Sequence, residues 1–248
     1  MSLLTQMLIV IPPMGSYRRN RGEITSDEDS VRLKHLIVYD LDGTLVDTLE
    51  DIAAAANHMR GQLGEPPLEA EAIRGAVGRG LRELVKRCLQ TDEARRIEQG
   101  MKLYKAYYGK HLLDRSRLYP GALEVLEHFR ARRQAVITNK PDPYSRDILR
   151  GLGIDGYFGD VIAGDTGFPK KPDPAGLHSL LAKHGLEPAE ALFIGDSPID
   201  VETGRSAGVL TVCVAHGFAA AGELRAARPE ALAEDFAGLL RLAAERSW

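Results

Sequence analysis

His35-Leu36-Ile37-Val38-Tyr39-Asp40-Leu41-Asp42-Gly43-Thr44-Leu45 is the stretch whose reading decides the fold of this chain. The apolar run from Leu36 to Tyr39 reads as a buried parallel strand, and two carboxylates follow where that strand meets its loop. Side chains at i and i+2 of an extended segment point the same way, so Asp40 and Asp42 can reach one small site. In open α/β sheets ligands collect at the carboxyl ends of the strands. Gly43 permits a sharp turn after the second acid and brings backbone N–H groups close to an anion, which makes it a candidate substrate-binding position. The pattern suits a phosphate and a divalent metal.

Three later stretches repeat the arrangement of a strand followed by a reactive group. Val136-Ile137-Thr138-Asn139 ends a strand on a hydroxyl, Lys171-Pro172-Asp173-Pro174 supplies a lysine, and Ile194-Gly195-Asp196-Ser197-Pro198-Ile199-Asp200 sets an acidic pair after another strand. Together with the opening stretch and Val46-Asp47-Thr48, these resemble, in order, the four motifs of the haloacid dehalogenase superfamily. The D-x-D form resembles its phosphatases in particular. The resemblance runs from Leu36 nearly to the C-terminus.

Attack of a carboxylate on a phosphomonoester dianion is opposed by charge repulsion, so a cation must neutralise both, and oxygen ligands favour magnesium. On the family's pattern Asp40 is the nucleophile that forms an aspartyl-phosphate. Asp42 is then the general acid toward the leaving alkoxide, and afterwards the base for the hydrolytic water. The resemblance implies a Mg2+ site made by Asp40, the backbone carbonyl of Asp42 and Asp196. Asp200, one helical turn on, would orient a metal-bound water or Lys171. Thr138 would donate to a phosphoryl oxygen and Lys171 would add positive charge, with Lys170 left on the surface. Asn139 and Lys140 continue into the loop, where they could reach substrate or cap the helix that begins near Asp142. Singly, each acid could be structural, and Asp196 before Ser197-Pro198 could be only a helix cap. Asp47 reads as a brace of the turn outside the catalytic set.

The alternation of β-rich runs with helical periods predicts an α/β protein, with a Rossmann-like three-layer core around a central parallel sheet. Strands are expected at Leu36–Tyr39, Ala135–Thr138, Asp160–Ala163, Leu192–Gly195 and Thr211–Val214. Leu123, Leu126 and Phe129, and Leu177, Leu180 and Leu181, recur at helical spacing as core positions. Leu232, Phe236, Leu239 and Leu240 suggest a last amphipathic helix. Ile52–Met59, Ile73–Leu89 and Ala94–Leu113 read as helices with no strand between them. They predict a small all-helical cap over 51–117, inserted after the first strand of a core comprising 35–50 and 118–248. Caps of this kind close over a core site and exclude water. Tyr119-Pro120-Gly121 marks the return to the core.

The first 34 residues differ. Leu8-Ile9-Val10-Ile11 is short, has no basic segment before it and ends at Pro12-Pro13, which argues against a secretory signal. Residues 1–34 read as a flexible N-terminal extension. The 248 residues, with 44% hydrophobic content, can fill a large domain and a smaller one. A net charge of -3 argues against a nucleic-acid surface. No apolar run approaches a membrane span. Two cysteines, Cys88 and Cys213, cannot make a disulfide framework, so a reducing cytoplasm is expected; the chain is taken as a monomer or homodimer without a residue that decides between them.

Within the superfamily, Asp42 argues against a carbon–halogen substrate, and Ile52 stands where phosphosugar mutase relatives carry histidine. Lys86 is a candidate, without further support in the sequence, for the Schiff-base lysine that phosphonate hydrolysis would need. A receiver-type signalling domain would be about half this length and lack the insert. Gly78-Arg79-Gly80-Leu81-Arg82 resembles the glycine-rich cap loop of phosphoglycolate phosphatases, in which Arg79 could grip a substrate carboxylate or simply begin a helix in solvent. The expected activity is magnesium-dependent hydrolysis of a small phosphorylated metabolite, with 2-phosphoglycolate ahead of nucleotides, pyrophosphate and sugar phosphates.

Overall fold

The computed structural model describes residues 33–248. A six-stranded parallel sheet runs through the middle. In chain order its strands are β1 (Leu36–Tyr39), β4 (Arg133–Ile137), β5 (Asp160–Ile162), β6 (Ala191–Gly195), β7 (Leu210–Val214) and β8 (Ala231–Ala233), and in space they lie 5-4-1-6-7-8. The chain moves outward from β1 through β4 to β5, then crosses back to place β6 on the other side of β1. That reversal opens a crevice at the carboxyl ends of β1 and β6, the usual ligand position in such sheets.

Alternate residues of the strands feed two cores. Leu36, Val38, Ala135, Ile137 and Phe193 pack with Leu177, Leu180 and Leu181 of α7 (Ala175–His184) on one face. Ile37, Tyr39, Val136, Ile194 and Val214 pack on the other with α5 (Ala122–His128), α6 (Tyr144–Gly151) and α10 (Phe236–Glu245). Burial on both faces is what makes the strand sequences continuous apolar runs instead of alternating ones.

Between β2 (Val46–Asp47) and β3 (Arg117–Leu118), which pair antiparallel, lie four helices: α1 (Leu49–Gln62), α2 (Ala70–Arg74), α3 (Leu81–Leu89) and α4 (Ala94–His111). Their apolar faces are continuous with the larger core. The insertion leaves and re-enters at one spot, where the buried Asp51 carboxylate accepts the backbone N–H of Arg115 and both the N–H and hydroxyl of Ser116. Asp51→Ala strips these donors of their acceptor and should destabilise the fold by about 3 kcal/mol, read as a shift in urea midpoint at unchanged slope. A loss under about 0.5 kcal/mol would show that water replaces the carboxylate there.

Several expectations need correction. The helix read over Ile73–Leu89 is two helices, because Gly78 and Gly80 take positive φ and the chain loops between them. Leu123 is 47% exposed, and α5 buries Ala122, Val125 and Leu126 instead. Leu232 lies in β8, ahead of a helix that starts only at Phe236 behind the Asp235 cap. The extension expected over 1–34 lies outside the described residues except for Leu33 and Lys34. Of these, Lys34 is buried, with its ammonium donating to the Ala189 carbonyl at 2.7 Å.

Candidate active site

The crevice at the sheet's carboxyl edge opens into a cavity of about 370 Å³ roofed by the helical insertion. Asp40, just past β1, points both carboxylate oxygens at donors. Oδ1 accepts the Leu41 N–H at 2.7 Å, and Oδ2 lies 2.9 Å from the Lys171 ammonium. Lys171 reaches on to Asp200 Oδ1 at 2.7 Å, so one buried cation bridges two buried carboxylates. Burial alone would push the Lys171 pKa down, but Asp200 and Asp40 outweigh it and hold the amine well above its ordinary range.

Asp196, after β6, accepts the Thr44 hydroxyl on Oδ1 at 2.8 Å and the Phe218 N–H on Oδ2 at 2.7 Å. No cation touches it among the described residues. Capping of α8 (Pro198–Ala207) falls instead to Ser197, which exchanges hydrogen bonds with Asp200. That leaves Asp196 free of the purely structural role open to it in the sequence. Gly43, at φ +83°, packs so tightly that a Cβ there would overlap the Asp196 carboxylate. The residue thus serves close packing on Asp196 as well as the turn.

Oxygens of Asp40, Asp196 and Asp200 lie within 4.8 Å of one another. Among the described residues Lys171 is the one cation touching these three buried carboxylates, through Asp40 and Asp200, and the excess negative charge shows in the titration of Asp40 and Asp196. Burial pushes Asp40 up to about 6, with Asp200 and Asp42 adding to the effect and Lys171 opposing it. Burial, then Asp200 and Asp40, pushes Asp196 well above the carboxylate range. A hard divalent cation beside oxygen donors is what this charge deficit fits.

Asp42 lines the same cavity but finds its partners outside that cluster. Its Oδ1 accepts from the Thr48 hydroxyl at 2.6 Å and from the Lys140 ammonium at 2.8 Å, which leaves Oδ2 open. Thr138 is buried after β4, and its Oγ1 accepts the Lys140 N–H, so its own proton stays available to a ligand. Asn139 lines the cavity with its amide already engaged. Its amide oxygen accepts the Lys171 N–H, and its NH2 donates to the carbonyls of Lys171 and Gly78, at 2.8–2.9 Å throughout. With both donors committed, Asn139 clamps the loop of Lys171 to the insertion loop at the cavity wall. Arg79 lies exposed on the cavity rim. Lys86 pairs with Asp92 and is absent from the cavity lining. Ile52 lines the cavity, and exposed Lys170 packs its amine against Gly80.

The sequence reading missed Thr44 and Phe218 as partners of Asp196 and undervalued Lys140. Thr44 was visible, since it follows the D-x-D-G run, whereas Phe218 acts through its backbone and carries no side-chain signal.

The haloacid dehalogenase-like hydrolase family matches residues 37–214, and the chain belongs to that family. Within it, the chain is 37% identical to the phosphoglycolate phosphatase of Pseudomonas putida, over 84% of this chain and 79% of that one. It is 35% identical to the phosphoglycolate phosphatase of Haemophilus influenzae, over 84% and 97%. The crystal structure of a predicted phosphoglycolate phosphatase from Haemophilus somnus superposes with a TM-score of 0.81 at 31% identity, covering 85% of this chain and 98% of that one. No helix among the described residues is long and apolar enough to cross a membrane.

Proposed function

We propose that this protein is a magnesium-dependent phosphatase of 2-phosphoglycolate that works through an aspartyl-phosphate, with the helical insertion as its cap. The observation that carries the reading is the division between two ion pairs: Lys171 on Asp40 and Lys140 on Asp42. They give neighbouring carboxylates different surroundings and so different tasks.

Asp40 attacks phosphorus, and the new P–O bond forms as the ester P–O bond breaks. Asp42 Oδ2, the oxygen free of donors, gives its proton to the departing alkoxide and then takes one from the water that cleaves the phospho-aspartate. The net change is ester plus water to alcohol plus phosphate. Thr138 donates to the phosphoryl group, and Lys171 offsets its growing charge. Asp200 fixes Lys171 in line. Asp40, Asp196 and the Asp42 carbonyl would hold Mg2+, which when bound supplies positive charge between nucleophile and phosphate. The exposed Arg79 draws anionic substrates to the rim. The buried, unpaired Cys88 and Cys213 suit work in a reducing cytoplasm.

The test is kcat/KM for 2-phosphoglycolate with Mg2+, beside sugar phosphates, nucleotides, pyrophosphate and an aryl phosphate. A value of about 10⁴ M⁻¹s⁻¹ or more, well clear of the panel and abolished by chelation, is the expected result. A better panel member would reassign the substrate, and activity indifferent to chelator would remove the metal. Independently of turnover, Mg2+ should raise the melting temperature by binding the folded cluster.

A further inference from the structure

The substrate's leaving group must lie on the Asp42 side of the cavity, and that side holds a cation whose hydrogen bonds are not all spent. We propose that Lys140 reads a negative charge on the leaving group. It would restrict the enzyme to short phosphomonoesters with an anionic group one or two carbons from the ester oxygen. The inference rests on the reading of Asp42 as the acid that faces that oxygen.

The Lys140 side chain is 5% exposed, and its ammonium sits 2.8 Å from Asp42 Oδ1 and 4.8 Å from the centre of the Tyr108 ring. Its backbone N–H is tied to Thr138, so the loop that presents the phosphate-binding hydroxyl also places the amine. An ammonium has three donors, and Asp42 takes one. Tyr108 adds a buried hydroxyl with no partner near the same place. A neutral alkyl group enclosed here leaves these donors dry and unsatisfied, and that is how a polar pocket rejects a ligand lacking the matching group. With Asp42 in hydrogen-bond contact with the ester oxygen, the ammonium lies within about 8 Å of it, a reach that favours an anion close to that oxygen.

Among the other cations around the cavity, Lys171 is held by Asp40 and Asp200, and Arg87 by Glu83 and the Gly75 carbonyl. Arg74 pairs with Glu71 at 3.3 Å while its buried Nε has no hydrogen-bond partner, but no contact ties it to Asp42 as Lys140 is tied. Arg79 is exposed, so water replaces whatever contact a neutral ligand fails to make.

Calorimetric binding of 3-phosphonopropionate and of propylphosphonate, with Mg2+ present, tests the inference without requiring turnover. The two differ only by a carboxylate in place of a methyl group. The wild type should prefer the first by about 10- to 100-fold. Lys140→Met should erase that preference, while Lys140→Arg, which keeps the charge, and Arg79→Gln should retain most of it. A preference that survives Lys140→Met, one lost in Arg79→Gln, or none in the wild type would overturn the assignment. A Lys140-dependent preference in a protein that hydrolyses no phosphomonoester would support the anion site and remove the phosphatase reading, so the two can fail separately.

Discussion

Asp40→Asn should lower kcat for 2-phosphoglycolate by about 10⁴-fold or more, because the amide keeps the shape of the side chain but cannot attack phosphorus. The substitution removes one acid from a cluster of three buried carboxylates and leaves Lys171 paired with Asp200, so the folded protein should melt no lower than the wild type. This pairing of lost activity with retained stability separates a nucleophile from a structural carboxylate. Turnover within tenfold of wild type would falsify the assignment. A phospho-adduct trapped by acid quench on the peptide containing Asp40 in the wild type, and missing in the variant, gives the direct readout.

Lys171→Met is expected to damage both properties at once. With the amine gone, Asp40 and Asp200 are left as buried charges without a cation, and removal of one partner from such a group costs about 3–5 kcal/mol. Loss of the charge that faces the phosphoryl group lowers kcat by about 10²–10³-fold. The double variant Lys171→Met/Asp200→Asn discriminates causes. It removes one stranded carboxylate and should regain about 1 kcal/mol or more in urea unfolding, without regaining activity. If the double variant is less stable than the single one, the bridge is not what holds this corner of the fold together.

Much of this arrangement was legible before any coordinates, for a physical reason. Strands of a parallel sheet buried on both faces must be continuous apolar runs, so the first polar residue after each run marks the sheet's carboxyl edge. Asp40, Thr138 and Asp196 announce themselves in that way. What stayed hidden is short or long-range. β8 is Ala-Leu-Ala, too brief and too poor in β-branched residues to be seen, and β2 and β3 span two residues each. The break before α3 was masked because Ile73, Ala76 and Leu84 keep an apolar rhythm across it. The partners of Lys140 and Asn139 come from positions 98 and 61 residues away, and no local pattern carries such a pairing.

The pinned entry and exit of the helical insertion have a consequence for how proteins of this shape diversify. Because Val46-Asp47 pairs with Arg117-Leu118 and Asp51 ties down Arg115 and Ser116, the two ends are neighbours whatever lies between them. Closing the chain across that point adds little entropy cost when the intervening segment lengthens or is exchanged. Most of the roof, including the Arg79 rim and the Tyr108 wall, belongs to that segment, while Asp40, Asp42, Thr138, Lys171 and Asp196 lie outside it. A lineage can therefore try new roofs by recombination at Asp47 and Arg117 without disturbing the sheet edge that carries those five residues.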